Sequence, residues 1–430
     1  MLRFAPSLAD DLTVTDLRIA AISWVVARQQ ERGWILRFQE TDPSRNTEGK
    51  DTEIKQILEK FSLPWDHLLY QSESLHRHQQ LAVSLLEQDK AFVCTCTPKT
   101  IEAEREAAER AGKPYRYSGR CEQRSVEDLQ RIREENIPYV IRIKLPDEPI
   151  TFEDTIQGEI TTPPEEIDRF IVLRSDGTPT PDFACAVDDM LSSISTVILD
   201  EEDRAGTPRQ IHIRQQLGYD QPLAYAHLPG IRTPEGSPTV KALLEEGFLP
   251  DAILNYLLLP DTQPPTEIFT LPEAVEQFDL RKLSSSPIPF DRETLRFLNR
   301  EHIRRMDDKA ASALYGFADA DIGRLVKLYL EEASTLSELD ARIQPILAPK
   351  PCKGEWEEPM RRIAAEIATM PVFKTFDAFQ TYIREKTGLQ SEDLLHALRR
   401  LLTGAEHGPD LEKIYPLIQS YLLEVARCPH

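Results

Sequence analysis

Short apolar runs alternate with stretches of helical periodicity through the first 60 residues, and that alternation limits the fold more than any other feature. "LRFAPS" and "WILRFQ" read as strands. Between them Leu17, Ala21, Trp24, Val25 and Arg28 recur at a spacing near 3.6, with Thr15 as the candidate N-cap. Residues 50–60 repeat the helical pattern through Ile54, Ile57 and Leu58. A strand–helix–strand–helix order predicts an α/β fold with a parallel, doubly wound sheet.

The pattern changes after residue 86. A charged helix, "TIEAEREAAERAG", precedes strand-like "YVIRIKL" and "TFEDTIQGEI". "IDRFIVLRSDGTPT" reads as a hairpin turning at Asp176-Gly177. These segments suggest an insertion with its own mixed α+β fold. "FACAVDDML" and "STVILDEED" return to buried segments, and the chain is helical from about 230 onward. At 430 residues, two to four domains are expected. No apolar run approaches the roughly 20 residues of a membrane span, and the N-terminus lacks an apolar signal core. The expectation is a cytoplasmic protein without membrane contact.

Three clusters invite chemistry. "FAPSLADDLTVTDLR", residues 4–18, joins a strand to a helix, where nucleotide-binding chains cradle phosphate. It has no glycine or histidine, and it carries Asp10, Asp11 and Asp16. Cys94, Cys96 and Cys121, with Tyr117, form Cys-x-Cys…Tyr-x-x-x-Cys, a thiol-rich set suited to structural zinc or to a small metal-free core. Cys185, Cys352 and Cys428 look solitary. "RETLRFLNREHIRRMDDK" aligns Arg292, Arg296, Arg300 and Arg304, with Arg305 alongside, as a basic stripe. That stripe suits phosphate, or else pairs with its own Glu293, Glu301, Asp307 and Asp308. A net charge of −21 disfavours a nonspecific nucleic-acid coat. Asp188-Asp189 and "LDEED" could hold a cation but more simply form a solvated face. His76, His78 and His212 lack metal-ligand spacing.

The motif order resembles bacterial glutamyl-tRNA synthetase. "RFAPS", "ILRFQETDPSRNTEG", "YQSE", "DGTPTPDFACAVDD", "GTPRQ", "EGFLPDAILNYL", "LRFLNREHI" and "LTGAEHGP" occur in that family's order across nearly the whole chain. The resemblance implies a class I synthetase fold. A dinucleotide-type catalytic domain would span 1–85 and 181–230, with an inserted acceptor-end domain at 86–180. Stem-contact helices at 231–308 and anticodon-binding helices at 309–430 would follow. The implied reaction joins glutamate to ATP and then to the 3′ end of tRNA.

The departures fall on the phosphate-handling residues. The family's His-x-Gly-His-like motif reads Thr13-Val14-Thr15-Asp16, and its lysine loop is shortened to "LPGIRTPEGSPTVKALLE" with Lys241 alone. The substrate-carboxylate arginine is Leu199, the pocket tyrosine is Pro181 and the Glu-Asp pair is Gln39-Glu40. Arg3, Ser7 and Asp42 remain. The resemblance also implies zinc on Cys94, Cys96, Tyr117 and Cys121, and tRNA contact by the helical half, including Arg399 and Arg400. The favoured reading is a synthetase-like protein with lost or reduced catalysis that still binds tRNA or a protein partner. The alternatives are an active glutamate–tRNA ligase using ATP and magnesium, or a ligase of altered substrate, or a partner of an active synthetase or amidotransferase.

Overall fold

A computed structural model describes residues 1–259 and 268–428. The elements of the first part are β1 (Leu2–Phe4), α1 (Val14–Gln29), β2 (Trp34–Phe38), α2 (Lys50–Lys60), β3 (His67–Tyr70), α3 (Leu75–Glu87), β4 (Ala91–Cys94), α4 (Pro98–Arg110), α5 (Val126–Glu134), β5 (Val140–Ile143), β6 (Ile150–Asp154), β7 (Gly158–Thr162), α6 (Pro164–Ile167), β8 (Ile171–Leu173), α7 (Pro181–Leu191), β9 (Thr196–Asp200), α8 (Thr207–Gln216) and β10 (Ala224–Leu228). Seven strands form one sheet in the order β3-β2-β1-β9-β10-β6-β7, parallel except for the β6–β7 hairpin. The parallel, doubly wound expectation holds.

α1 is buried nearly all round, as a helix packed over the middle of such a sheet must be. Its N-cap is Thr13, not the expected Thr15. Thr13 and Asp16 are spaced three apart and close a reciprocal capping box, whereas Thr15 turns inward. β4, β5 and β8 form a separate antiparallel sheet in the insertion. Its Arg174–Thr178 turn places Gly177 at φ +83°, where a side chain would be strained. The insertion does not keep all of residues 86–180. β6 and β7 join the main sheet through β10, because their alternation serves either sheet equally well.

The chain divides into two compact units. One comprises Met1–Lys241 with Leu257–Phe290, and the other Ala242–Tyr256 with the chain from Asp291 onward. Later elements are β11 (Ile231–Arg232), α9 (Val240–Glu245), α10 (Pro250–Leu258), α11 (Leu271–Gln277), β12 (Ile288–Pro289), α12 (Arg292–Arg305), α13 (Asp308–Ala313), α14 (Ala320–Leu328), α15 (Leu336–Leu347), α16 (Glu357–Ile367), α17 (Phe376–Thr387), α18 (Ser391–Thr403), α19 (Leu411–Ile418) and α20 (Leu422–Val425). In the second unit Leu249, Ala252 and Ile303 bury into the same core as α14 to α20. Cys352 and Cys428 are not solitary thiols but a disulfide, with Cα atoms 5.6 Å apart. Among the described residues no helix is long and apolar enough to cross a membrane.

Candidate nucleotide site and metal centre

The turn from β1 into α1 should leave free amides at the first helix. Here those of Thr13, Val14 and Asp16 are taken by protein groups. Thr13 N–H donates to Asp16 Oδ2 at 2.8 Å, and Asp16 N–H donates to Thr13 Oγ1 at 3.2 Å. Val14 N–H donates to the Pro238 carbonyl at 2.8 Å, and Val240 N–H returns to Leu12 O at 2.8 Å. Thr15 Oγ1 accepts from Ile231 N–H at 3.0 Å and lies 3.1 Å from Ser237 Oγ. The loop after β10 is thus laced against the first turn of α1. A glycine at position 15 could not make these hydroxyl contacts.

Carboxylates surround the same turn. Burial, with like charge on Glu202 and Asp16, holds Asp200 above the ordinary carboxylate range despite Arg232. Burial and the carboxylates of Asp200 and Asp16 push Asp203 the same way. Arg232 pairs with both Asp200, at 3.6 Å, and Glu202. Lys241 is half exposed and lies 3.9 Å from Glu53, and Lys50 is bound to Asp11 and Glu53. A polyphosphate here would meet more negative charge than positive.

The residues expected to line an amino-acid pocket are equally occupied. Arg3 makes two bonds to Asp189, at 3.0 and 3.1 Å, and Arg37 Nη1 makes a third at 2.6 Å. All three side chains are buried. Burial opposes the Asp189 charge, but Arg3 and Arg37 outweigh it and hold the carboxyl below its usual range. Asp188 accepts from Gln71 and pairs with His78. The Asp188-Asp189 pair is therefore spoken for by protein groups and is no cation site. Ser7 is exposed and bridges to Gln39, whose N–H donates to Pro6 O. Asp42 caps the turn at Pro43–Arg45. Pro181 starts α7, and Leu199 is partly buried against the apolar cluster that includes Val197 and Tyr225.

Two groups escaped the sequence reading. Arg37 sits under the site as the second partner of Asp189. His227 Nδ1 lies 2.7 Å from Asp154, and its Nε2 lies 2.9 Å from Thr207 Oγ1. That Asp–His–Thr line is fully buried, so it braces β6, β10 and α8 without reaching a substrate. Its residues lie in "TFEDT", "GTPRQ" and "AYAHLPG", and only the sheet order unites them.

Within the second unit the predicted phosphate contacts are engaged. Arg296 makes a two-pronged pair with Glu338 at 2.6 and 3.1 Å. Arg300 donates to Ser334, Arg304 pairs with Glu301 and Glu331, and Arg292 with Glu246. Arg399 donates to the carbonyls of Gly408 and Pro409, and Arg400 pairs with Glu406. Arg305 is exposed on the same helix. Arg292, Arg296 and Arg304 of the α12 stripe are thus ion-paired and Arg300 hydrogen-bonded, rather than a row of waiting cations.

The cysteines do converge. The sulfurs of Cys94, Cys96 and Cys121 lie within 4.8 Å of one another. Tyr117 Oη stands 3.3 Å from Cys94 Sγ and 3.4 Å from Cys96 Sγ. Burial opposes ionisation of Cys121, but Tyr117 and Arg124 bring its thiol down to about 6. Three thiols and a phenol facing one point form a donor set that fits zinc.

The model of the family described as "tRNA synthetases class I (E and Q), catalytic domain" matches residues 1–297. The "Glutamate--tRNA ligase 2" of a Sulfurovum species is 50% identical, covering 99% of this chain and 100% of the relative. The "Glutamate--tRNA ligase 1" of a Nitratiruptor species is 44% identical over the same shares. A solved glutamate tRNA ligase from Elizabethkingia meningosepticum shares the fold with a TM-score of 0.81 at 23% identity, covering 99% of this chain and 98% of that one.

Proposed function

The chain belongs to the glutamate and glutamine family of class I tRNA synthetases, and on that premise we propose that it keeps the framework for holding tRNA while its adenylating step is lost or strongly reduced. One observation carries the reading. The first turn of α1 is closed by its own loop and ringed by Asp16, Asp200 and Asp203.

Adenylate formation gathers negative charge on the α-phosphate and on departing pyrophosphate. Little covalent work falls to the protein, so fixed donors and cations must supply the stabilisation. Here the Val14 and Asp16 amides are already bonded, and Arg232 is engaged by two carboxylates. Arg3, the arginine that remains of the expected pocket, is held by Asp189. Losing one such donor costs about 10²–10³ in rate, and losses at one site do not simply multiply.

The test is ATP–pyrophosphate exchange with glutamate and magnesium, with and without total tRNA, beside a competent enzyme of the family. Exchange at background, with tRNA still retained in filter binding, is expected. Exchange well above background overturns the reading and favours the second one, a working glutamate–tRNA ligase. The full-length 50% identity to a protein of that name supports this second reading.

We also propose structural zinc on Cys94, Cys96, Tyr117 and Cys121. Bound there, zinc would cross-link β4 to the loop before α5 and shape the insertion, with no part in the reaction. About one zinc per chain by elemental analysis is expected, and its loss on Cys96→Ser. A metal-free, fully folded chain from zinc-replete growth contradicts it.

A further inference from the structure

We propose that the insertion carries a docking groove for an acidic, aliphatic segment of a partner protein. The groove lies between α5 and the β4-β5-β8 sheet and has room for about 730 Å³. Leu86, Phe92, Leu129, Ile132, Ile137 and Leu173 contribute its apolar lining. Several apolar side chains at or beside it face water in the free chain: Leu129 is 41% exposed, Tyr139 44% and Val126 68%. Isolated exposed apolar residues are ordinary, but neighbours bordering one concavity mark an interaction surface.

The charges at the groove have one sign left over. Its two carboxylates are neutralised from outside, Asp89 by Lys144 at 2.7 Å and Glu122 by Arg169 at 2.5 Å. Among the described residues Arg133 and Arg174 have no such partner, while Arg124 is already engaged by the Cys121 sulfur. Arg174 donates to Thr178 Oγ1 and the Pro179 carbonyl, and Arg124 to Thr95 Oγ1 and the Cys121 sulfur. Among the described residues Arg133 makes no ion pair. Arg133 also lies one helical turn beyond Leu129, so α5 offers a cation and an apolar side chain together. An apolar lining edged by the Arg133 and Arg174 guanidiniums selects carboxylates flanking large aliphatic side chains. The lining is chiefly aliphatic rather than a row of aromatic platforms, which favours a peptide over stacked bases.

The groove stands apart from the first turn of α1, so this proposal and the loss of adenylation can fail separately. The test selects a displayed random dodecapeptide library on the full-length chain. The retained pool is expected to be rich in Asp or Glu beside Leu, Ile or Phe. Its binding should fall at least tenfold on the Arg133→Glu chain and on the Leu129→Asp chain. Both positions are exposed, and circular dichroism would verify their folding. A pool without that bias, or one that Arg133→Glu binds equally well, overturns the proposal. A tRNA acceptor hairpin is the competing arm. If it displaces the pool and itself loses tenfold on Arg133→Glu, the groove is a nucleic-acid surface and the protein partner is ruled out.

Discussion

Asp189 concentrates the residue-scale energetics. It sits between two buried guanidiniums, so removing its charge leaves Arg3 and Arg37 facing each other without compensation. Breaking such a buried set typically costs about 3–5 kcal/mol. Asp189→Asn should lose that much in urea unfolding while Asp42→Asn, on an exposed turn, changes little. The pH sign follows from the lowered carboxyl. The contribution is complete above the unfolded value near 4 and is lost as pH falls through the lower folded value. Wild type and Asp189→Asn should therefore converge only in strong acid, read as the gap between their denaturation midpoints. Little of this was legible. Arg3 stands in a motif that assigns it to substrate, but its partner lies 186 residues away. The capping box was legible, since Thr13 and Asp16 have the spacing, but Thr15 competed for the same role.

The strands and helices of the first third could be read because burial imposes periods that sequence preserves. What the pattern left open was which sheet receives β6 and β7, and where a helix end finds its partners. The C-terminus of α15 illustrates the second. Lys350 Nζ donates to the carbonyls of Ile346 and Ala348 at 2.7 and 2.6 Å, and also to Val425 O at 3.0 Å. One ammonium thus caps one helix and holds another. Burial pushes it down to about 8. A lysine lowered on folding contributes stability above its unfolded value, and that contribution is lost as pH falls through the folded one. Between pH 8 and 10.4, wild type should gain on the order of 1–3 kcal/mol relative to Lys350→Met. A flat difference across that range, measured by chemical denaturation, contradicts the burial of this charge.

For the whole molecule, two compact units predict two unfolding events, and the disulfide touches only one. Cys352 and Cys428 are 76 residues apart. Closing a loop of that size typically stabilises by about 2–4 kcal/mol through the unfolded chain. Reduction, or Cys428→Ser, should lower the calorimetric transition of the second unit and leave the other in place. Such a pairing is invisible in spacing alone, as were the distant partners Glu246, Glu331 and Glu338 of the α12 arginines, whereas the local Glu301 pair was legible. The parallel core was legible because each strand announces itself locally. The position of β1 between β2 and β9 was not. That position also orders events on the ribosome. β1 needs β9 and Asp189 on its far side, so a nascent chain carries Arg3 without its partner until 186 further residues have been made. At about 5–20 residues per second, β1 waits on the order of ten seconds or more for that neighbour. Truncated translation products ending before β9 would therefore present an unfinished sheet edge to chaperones.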